Sequence, residues 1–142
     1  EARLVSTEFD LFCSPSCFLK YINDLETTKI LANRYQPVVS QAFECWDDLT
    51  RSFYRSMYEV YFARFLLQNG IEFKYEPHSI KVEGKHYTPD FWIPAKDVYI
   101  ECKGRWGSGA RAKTVKASKI IPLILLPSYL QREFTKAVND TN

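Results

Sequence analysis

Two acids and a lysine near the ends of two predicted strands are the residues of this sequence best suited to chemistry. Glu101 and Lys103 close the otherwise apolar segment 98–103, and Asp90 lies on the segment before it. Side chains two positions apart on a strand project from the same face, so Glu101 and Lys103 point the same way. An antiparallel pairing of the two strands brings Asp90 close to Glu101. Charged groups in such an apolar setting are costly to bury unless they are paired or bind a metal.

The converging carboxylates of Asp90 and Glu101 repel each other, and a bound cation is the usual remedy. Carboxylate oxygens are hard ligands that suit Mg²⁺, with Mn²⁺ as a substitute. Such an ion lowers the pKa of a bound water and neutralises charge on a phosphoryl group. We expect Lys103 to position or deprotonate that water, or to stabilise the developing negative charge. Glu59, from the preceding predicted helix, either completes the metal site or binds a second metal through water in this interpretation.

The elements that must position these residues follow from hydrophobic periodicity. Helical spacing predicts a helix over 17–31 and a second over 49–69, which carries Glu59 and stops at Asn69-Gly70. Beyond Gly70, alternation predicts strands, and then a basic helix, an apolar strand and a final helix. The predicted elements are strands 71–76, 80–82, 86–93 and 98–103, helix 108–119, strand 120–126 and helix 128–138. This order predicts an α/β fold with a central mixed sheet flanked by helices.

The length of 142 residues indicates one domain with an appendage. We assign 49–142 to the core and 1–48 to a mainly helical N-terminal segment. Residues 1–50 carry 4 basic and 8 acidic side chains, whereas residues 51–142 carry 15 basic and 9 acidic ones. The local excess of positive charge suits a polyphosphate partner. We expect a basic strip to hold a nucleic-acid backbone through Arg105, Arg111, Lys113, Lys116 and Lys119.

Other features exclude several classes of protein. No apolar run reaches the ~20 residues that span a bilayer, and the N-terminal stretch lacks the order of a signal peptide. We therefore expect an intracellular protein without a membrane partner. The cysteines lack the second close pair that a zinc site needs, so we expect packed, reduced thiols at Cys13, Cys17, Cys45 and Cys102. His78 and His86 read as strand or turn residues rather than general bases.

Several stretches together resemble the PD-(D/E)XK nuclease superfamily. Pro89-Asp90, followed by Glu101-Cys102-Lys103, looks like its signature. Within that superfamily, residues 51–106 look most like phage endonuclease I, which resolves branched DNA. The similar stretches are the helix with Glu59, then Gly70-Ile71-Glu72-Phe73-Lys74-Tyr75-Glu76, Tyr87-Thr88-Pro89-Asp90-Phe91, and Glu101-Cys102-Lys103-Gly104-Arg105-Trp106. The first 50 residues match nothing in that family.

The resemblance implies a restriction-endonuclease-like core in which Asp90 and Glu101 bind the metal, Lys103 is catalytic and Glu59 supports the site. The expected function is an Mg²⁺-dependent DNA endonuclease, acting on branched DNA and forming a homodimer. Related cores also serve site-specific endonucleases (homing or transposon-end) and RNA endonucleases. A nucleic-acid-binding module that has lost the chemistry is a further alternative.

Each site residue also has a structural alternative. Arg55 lies four residues before Glu59, which suits an ordinary ion pair on a helix surface. Asp90 follows a turn proline, and Glu101 has Lys103 or Lys74 as a possible partner on a sheet surface. The order in which the three residues Asp90, Glu101 and Lys103 occur favours the site over these alternatives.

Overall fold

A computed structural model describes residues 12–27, 30, 32–37, 45–103 and 110–141. Its helices are α1 (Pro15–Asp24), α2 (Met57–Gln68), α3 (Ala110–Ser118) and α4 (Leu130–Thr141). Its strands are β1 (Cys45–Asp47), β2 (Ser52–Tyr54), β3 (Lys74–Tyr75), β4 (Ile80–Val82), β5 (Lys85–Tyr87), β6 (Phe91–Ile93), β7 (Val98–Cys102) and β8 (Leu123–Leu126). No helix within the described residues is long and apolar enough to cross a membrane.

A mixed sheet of four strands, in the order β3-β6-β7-β8, forms the centre of the fold. The pairs β3–β6 and β6–β7 are antiparallel, and β7–β8 is parallel. A parallel pair needs a crossover, and the chain between β7 and β8 contains α3. Two hairpins, β1–β2 and β4–β5, stand apart from this sheet. The predicted α/β class, with a mixed sheet and flanking helices, is confirmed.

Both faces of β7 are covered, so all five of its residues are buried. One core lies between the sheet and helices α1, α2 and α4, with Phe62, Phe91 and Phe134 at its centre. A second, smaller core joins the β4–β5 hairpin and α3 to the opposite face, around Tyr99 and Ile121. Ile100 belongs to the first core and Tyr99 to the second, as strand alternation requires.

The predicted helix over 49–69 is wrong in its first part, because α2 begins at Met57. Asp47 stabilises a turn instead: its Oδ2 accepts hydrogen bonds from the Thr50 backbone N–H (3.0 Å) and hydroxyl (2.7 Å). This turn reverses the chain into the β1–β2 hairpin. Side-chain acceptors of this kind compete with helix formation. Ser56 then caps the helix, accepting from the Glu59 backbone N–H at 3.3 Å.

The other predicted elements differ from the structure mainly in their bounds. The predicted strand 86–93 is two strands in different sheets, separated by the segment with Pro89, which has no N–H to donate to a ladder. The predicted strand 71–76 is reduced to Lys74–Tyr75. The helix predicted over 17–31 ends at Asp24, and the strand predicted over 120–126 begins at Leu123, after Pro122. Helix α1 packs into the same core as α2. The domain boundary predicted between residues 48 and 49 stays a prediction.

Candidate active site

Glu59 lies in the first turn of α2 and points into the protein. Its Oε1 accepts hydrogen bonds from the Tyr75 hydroxyl at 2.7 Å and from the Arg55 backbone N–H at 3.1 Å. The Arg55 guanidinium binds Glu76 instead, at 2.8 and 3.1 Å. The alternative of a surface ion pair between Arg55 and Glu59 is therefore wrong. Glu59 is a buried acid hydrogen-bonded to a tyrosine, and not an exposed charge on the helix surface.

Asp90 and Glu101 lie side by side at the start of β6 and near the end of β7. The register pairs Phe91 with Ile100, which puts the preceding Asp90 next to Glu101. Asp90 Oδ2 accepts from the Cys102 backbone N–H at 2.8 Å. The expected antiparallel pairing is thus confirmed, together with the closeness of the two acids.

Lys103 follows β7 and meets Glu101 on the face that strand alternation predicts. Its Nζ is 3.2 Å from Glu101 Oε2, and the Tyr87 hydroxyl donates to Glu101 Oε1 at 2.9 Å. Glu101 is therefore held from two sides, by a cation and by a neutral donor. The Lys103 side chain is partly exposed, whereas that of Glu101 is nearly buried.

Glu59, Asp90 and Glu101 form what we call the carboxylate cluster. They are only 6%, 8% and 6% exposed. Burial raises the pKa of Asp90 well above its usual range, and the charges of Glu101 and Glu59 raise it further. Burial also raises the pKa of Glu59, although hydrogen bonds from Tyr75, the Arg55 backbone and Asp90 partly lower it. Burial likewise raises the pKa of Glu101, partly offset by Lys103. A cluster of this kind is stabilised by a shared proton or by a bound cation.

The carboxylate cluster consists of oxygen donors, the ligand type that hard divalent cations prefer. Glu59 and Asp90 are within hydrogen-bonding contact of each other, which two ionised carboxylates tolerate only with positive charge between them. In the described part of the chain, no three His, Cys, Asp or Glu side chains are arranged to hold a metal ion. Mg²⁺ commonly uses one or two carboxylates and keeps several waters, so two members of the cluster suffice.

Sequence reasoning missed three residues that hold the cluster. Tyr75 and Tyr87 donate to Glu59 and Glu101, and Glu76 holds the guanidinium of Arg55. Glu76 has a left-handed backbone, with φ of 46°, and its N–H donates to the Asp90 carbonyl at 2.8 Å. Nothing in the sequence separates these tyrosines from the many core aromatics. Their contacts depend on the position of β3 at the edge of the sheet and on how the β4–β5 hairpin packs against it.

The predicted nucleic-acid-binding residues are only partly described. Arg105 and the side chain of Arg111 lie outside the described residues. Lys113 Nζ lies 5.8 Å from the ring centroid of Tyr87, the residue that holds Glu101. Lys116 pairs with Glu83 at 2.8 Å, and Lys119 is exposed. The structure thus brings Lys113 towards the carboxylate cluster, and the role of the basic strip stays a prediction.

The two histidines contact groups away from the carboxylate cluster. His78 Nδ1 is 2.9 Å from the Tyr99 hydroxyl, and His86 Nδ1 is 3.0 Å from Ser79 Oγ. Burial lowers the pKa of His78, and the charge of Arg34 lowers it further. These contacts are consistent with their interpretation as strand and turn residues.

Comparison with known families identifies a relationship for most of the described core. A family model described as Phage endonuclease I matches residues 43–124, which is more than half of the chain. The matched span contains the whole carboxylate cluster and Lys103. It begins at residue 43, so the expectation that the first 50 residues match nothing in the family is wrong for residues 43–50. No curated protein and no solved structure matches the chain.

Proposed function

The chain belongs to the phage endonuclease I family, and from this premise we propose that it is a divalent-metal-dependent DNA endonuclease. The observation that carries the proposal is the carboxylate cluster, in which three nearly buried acids from separate segments converge beside Lys103 and burial raises the pKa of each. A structural role explains such an arrangement poorly, because burying three neighbouring carboxylates costs stability even where each accepts hydrogen bonds. The order Pro89-Asp90 and Glu101-Cys102-Lys103 supports membership of the PD-(D/E)XK superfamily.

Asp90 and Glu101 are the proposed metal ligands, with Glu59 completing the site directly or through water. Mg²⁺ is the proposed ion and Mn²⁺ a substitute, because the donors are carboxylate oxygens. When bound, the ion supplies a lowered pKa for water and neutralisation of phosphoryl charge. The protein's own hydrogen bonds, from Tyr75, Tyr87 and the Cys102 N–H, keep the carboxylates oriented.

Lys103 is the proposed catalytic cation. Its Nζ contacts Glu101, and its side chain reaches the protein surface, where a phosphodiester approaches. From there it orients the attacking water and stabilises negative charge that develops on the phosphoryl oxygens. Removal of such a group typically costs about 10²–10³ in rate.

The proposed substrate is branched DNA, held along its backbone by Arg105, Arg111, Lys113, Lys116 and Lys119. One site of this kind cuts one strand, so we propose a homodimer that cuts both strands of a junction inside the host cell. A mass that stays monomeric in solution, with and without junction DNA, would contradict the dimer. The basic side chains bind phosphate without reading sequence, which suits recognition by DNA shape.

The test is cleavage of labelled linear duplex, single-stranded DNA, four-way-junction DNA and RNA, with Mg²⁺, Mn²⁺ or EDTA. We expect metal-dependent cleavage that is fastest on the junction and is lost in Lys103→Ala, with DNA binding retained. Faster cleavage of linear duplex or RNA would reassign the substrate to a site-specific or RNA endonuclease. Equal binding by both proteins without cleavage of any substrate would instead indicate a binding module.

A further inference from the structure

Two thiols at the start of α1 lie in contact and take no part in the proposed DNA chemistry. Cys13 Sγ is 3.3 Å from Cys17 Sγ, and both cysteines are free. Cys13 is exposed to solvent and Cys17 is partly exposed. Residues four apart at a helix start are within reach of each other, but a direct sulfur contact requires both side chains to turn towards each other. The pair therefore forms a preorganised dithiol on the surface.

Hydrogen bonds to the backbone fix the chain on both sides of this pair. Ser14 caps α1 and accepts the Cys17 N–H at 3.2 Å, which fixes Cys17 in the first helical turn. On the other side, Phe12 is buried in the core, and the Tyr129 hydroxyl donates to its carbonyl at 2.7 Å. The contact between the sulfurs is therefore imposed by the tertiary fold as well as by local sequence.

We propose that Cys13 and Cys17 are a redox-active dithiol site that small-molecule disulfides of the glutathione class oxidise to an intramolecular disulfide. Closing the bond needs the sulfurs to move from 3.3 Å to about 2.0 Å, a shift of roughly 1.3 Å. Cys13 precedes the helix and is outside its hydrogen-bond ladder. A side-chain rotation there leaves the backbone bonds of α1 intact.

The exchange balances in two steps. The thiolate of Cys17 attacks one sulfur of the small disulfide, forming a mixed disulfide and releasing one small thiolate. Cys13 then loses its proton to solvent and attacks the Cys17 sulfur, which forms the Cys13–Cys17 bond and releases the second thiolate. The protein loses two electrons and two protons, and the small disulfide is reduced to two thiols. Hydrogen bonds from Cys13 and the charge of Lys20 lower the pKa of Cys17, which favours its role as the attacking group.

The other cysteines lack these features. Cys102 is buried in the core beside Asp90, and burial raises the pKa of its thiol well above the usual range. Cys45 is partly buried in β1, opposite Tyr54. Thiol–disulfide exchange needs an accessible thiolate, so these two residues serve as internal controls.

The experiment equilibrates the full chain in glutathione buffers of increasing oxidising strength, followed by acid quenching, alkylation and tryptic mapping. Arg3 and Lys20 bound one peptide that contains both thiols. We expect this peptide to become lighter by two hydrogens while Cys45 and Cys102 remain alkylated. In denaturant, the oxidation midpoint is expected to require a glutathione ratio at least about tenfold more oxidising, because the fold no longer holds the sulfurs together.

Two variants separate the proposal from general thiol reactivity. Cys45→Ser is expected to oxidise like the wild type, whereas Cys13→Ser is expected to accumulate glutathione on Cys17. The proposal is overturned if Cys13 and Cys17 each carry a separate glutathione, if both stay reduced in the most oxidising buffer, or if the midpoint is the same in denaturant. None of these readouts depends on nuclease activity.

Discussion

At the scale of single residues, the carboxylate cluster depends on neutral donors that the protein supplies. Tyr75 gives Glu59 a 2.7 Å hydrogen bond and Tyr87 gives Glu101 a 2.9 Å hydrogen bond. Both donors favour the ionised carboxylate, against burial, which favours the protonated one. The hydroxyl groups therefore help to keep the cluster ionised, which is the form required by the proposed cation.

The Tyr75→Phe variant tests this role. Loss of the hydroxyl raises the pKa of Glu59 further, because a donor to the ionised form is gone. We expect the acidic limb of the pH–rate profile to move to higher pH by roughly one to two units, from a charge-assisted bond of about 1.5–3 kcal/mol. Tyr54→Phe is the control, since Tyr54 packs against Tyr75 but donates to Thr50. Identical profiles for both variants would rule out the proposed role.

Part of the site was predictable at this scale. Strand alternation puts Glu101 and Lys103 on one face, and antiparallel pairing brings Asp90 to them. Tyr75 and Tyr87 could not be predicted, because their hydroxyls reach the cluster only through the placement of β3 and β5. The placement of these strands depends on tertiary packing, and no periodicity in the sequence indicates it.

At the scale of secondary-structure elements, the start of α2 decides where Glu59 points. Ser56 caps the helix, and Glu59 in the first turn reaches back to the Arg55 N–H, one residue before the N-cap N–H that a capping box uses. The prediction of a helix from residue 49 was wrong because the helical spacing of aromatic residues continues through β2. The turn at Asp47 is what prevents a helix there. Helical periodicity does not detect a side chain that competes with the helix.

The Arg55–Glu76 ion pair joins this helix start to the end of β3, and its contribution to stability can be isolated. Glu76 and Glu83 both have left-handed backbones, with φ of 46° and 51°, and each accepts one ion pair. The Arg55–Glu76 side chains are 19% and 10% exposed, whereas those of Lys116 and Glu83 are 49% and 68% exposed. The two glutamates therefore differ mainly in burial.

Urea unfolding of Glu76→Ala and Glu83→Ala compares the two pairs. We expect Glu76→Ala to lose about 3 kcal/mol, because it removes the carboxylate that binds the largely buried Arg55 guanidinium. Glu83→Ala is expected to lose at most about 1 kcal/mol, as for other exposed pairs. Equal losses would mean that backbone conformation, and not the buried ion pair, controls both sites.

At the scale of the whole molecule, an aromatic cluster joins helices from three parts of the chain. Phe18 of α1 contacts Phe62 and Phe65 of α2 and Phe134 of α4, with ring centroids 5.3, 6.4 and 6.0 Å apart. Both α1 and α4 lie outside the span that matches the family model. The general α/β class was predictable from the order of elements, but the docking of α1 was not, because its loose periodicity does not identify its partner.

The Phe18→Ala variant tests whether α1 is integral to the core. We expect a loss of about 3–5 kcal/mol in the free energy of unfolding, as for other buried phenylalanines, with a single cooperative transition. Phe53→Ala is the control, because Phe53 is 52% exposed and packs on Trp46 outside this cluster. A loss from Phe18→Ala no greater than that from Phe53→Ala would support a separable segment over 1–48.

Binding of a divalent cation by the carboxylate cluster, as proposed above, implies a specific dependence of stability on pH. The carboxyl pKa values are raised in the folded protein. The stability that the protonated carboxyl groups contribute is therefore fully present at pH values below the ordinary carboxyl pKa. It is lost as pH rises through the raised values. A cation replaces the departing protons, so stabilisation by Mg²⁺ should grow across the same window.

The most direct measurement is thermal unfolding with Mg²⁺ or EDTA, from mildly acidic to mildly alkaline pH, for wild type, Asp90→Asn and Asp97→Asn. At about 100 times Kd, the cation adds about 2.7 kcal/mol, which raises Tm by roughly 5–15 °C at the alkaline end. Asp97→Asn, whose parent carboxylate pairs with Arg34, should keep this increase. Asp90→Asn should lose it and be more stable than wild type in EDTA. An equal Mg²⁺ effect in wild type and Asp90→Asn, or none in wild type at any pH, would rule out cation binding at the carboxylate cluster.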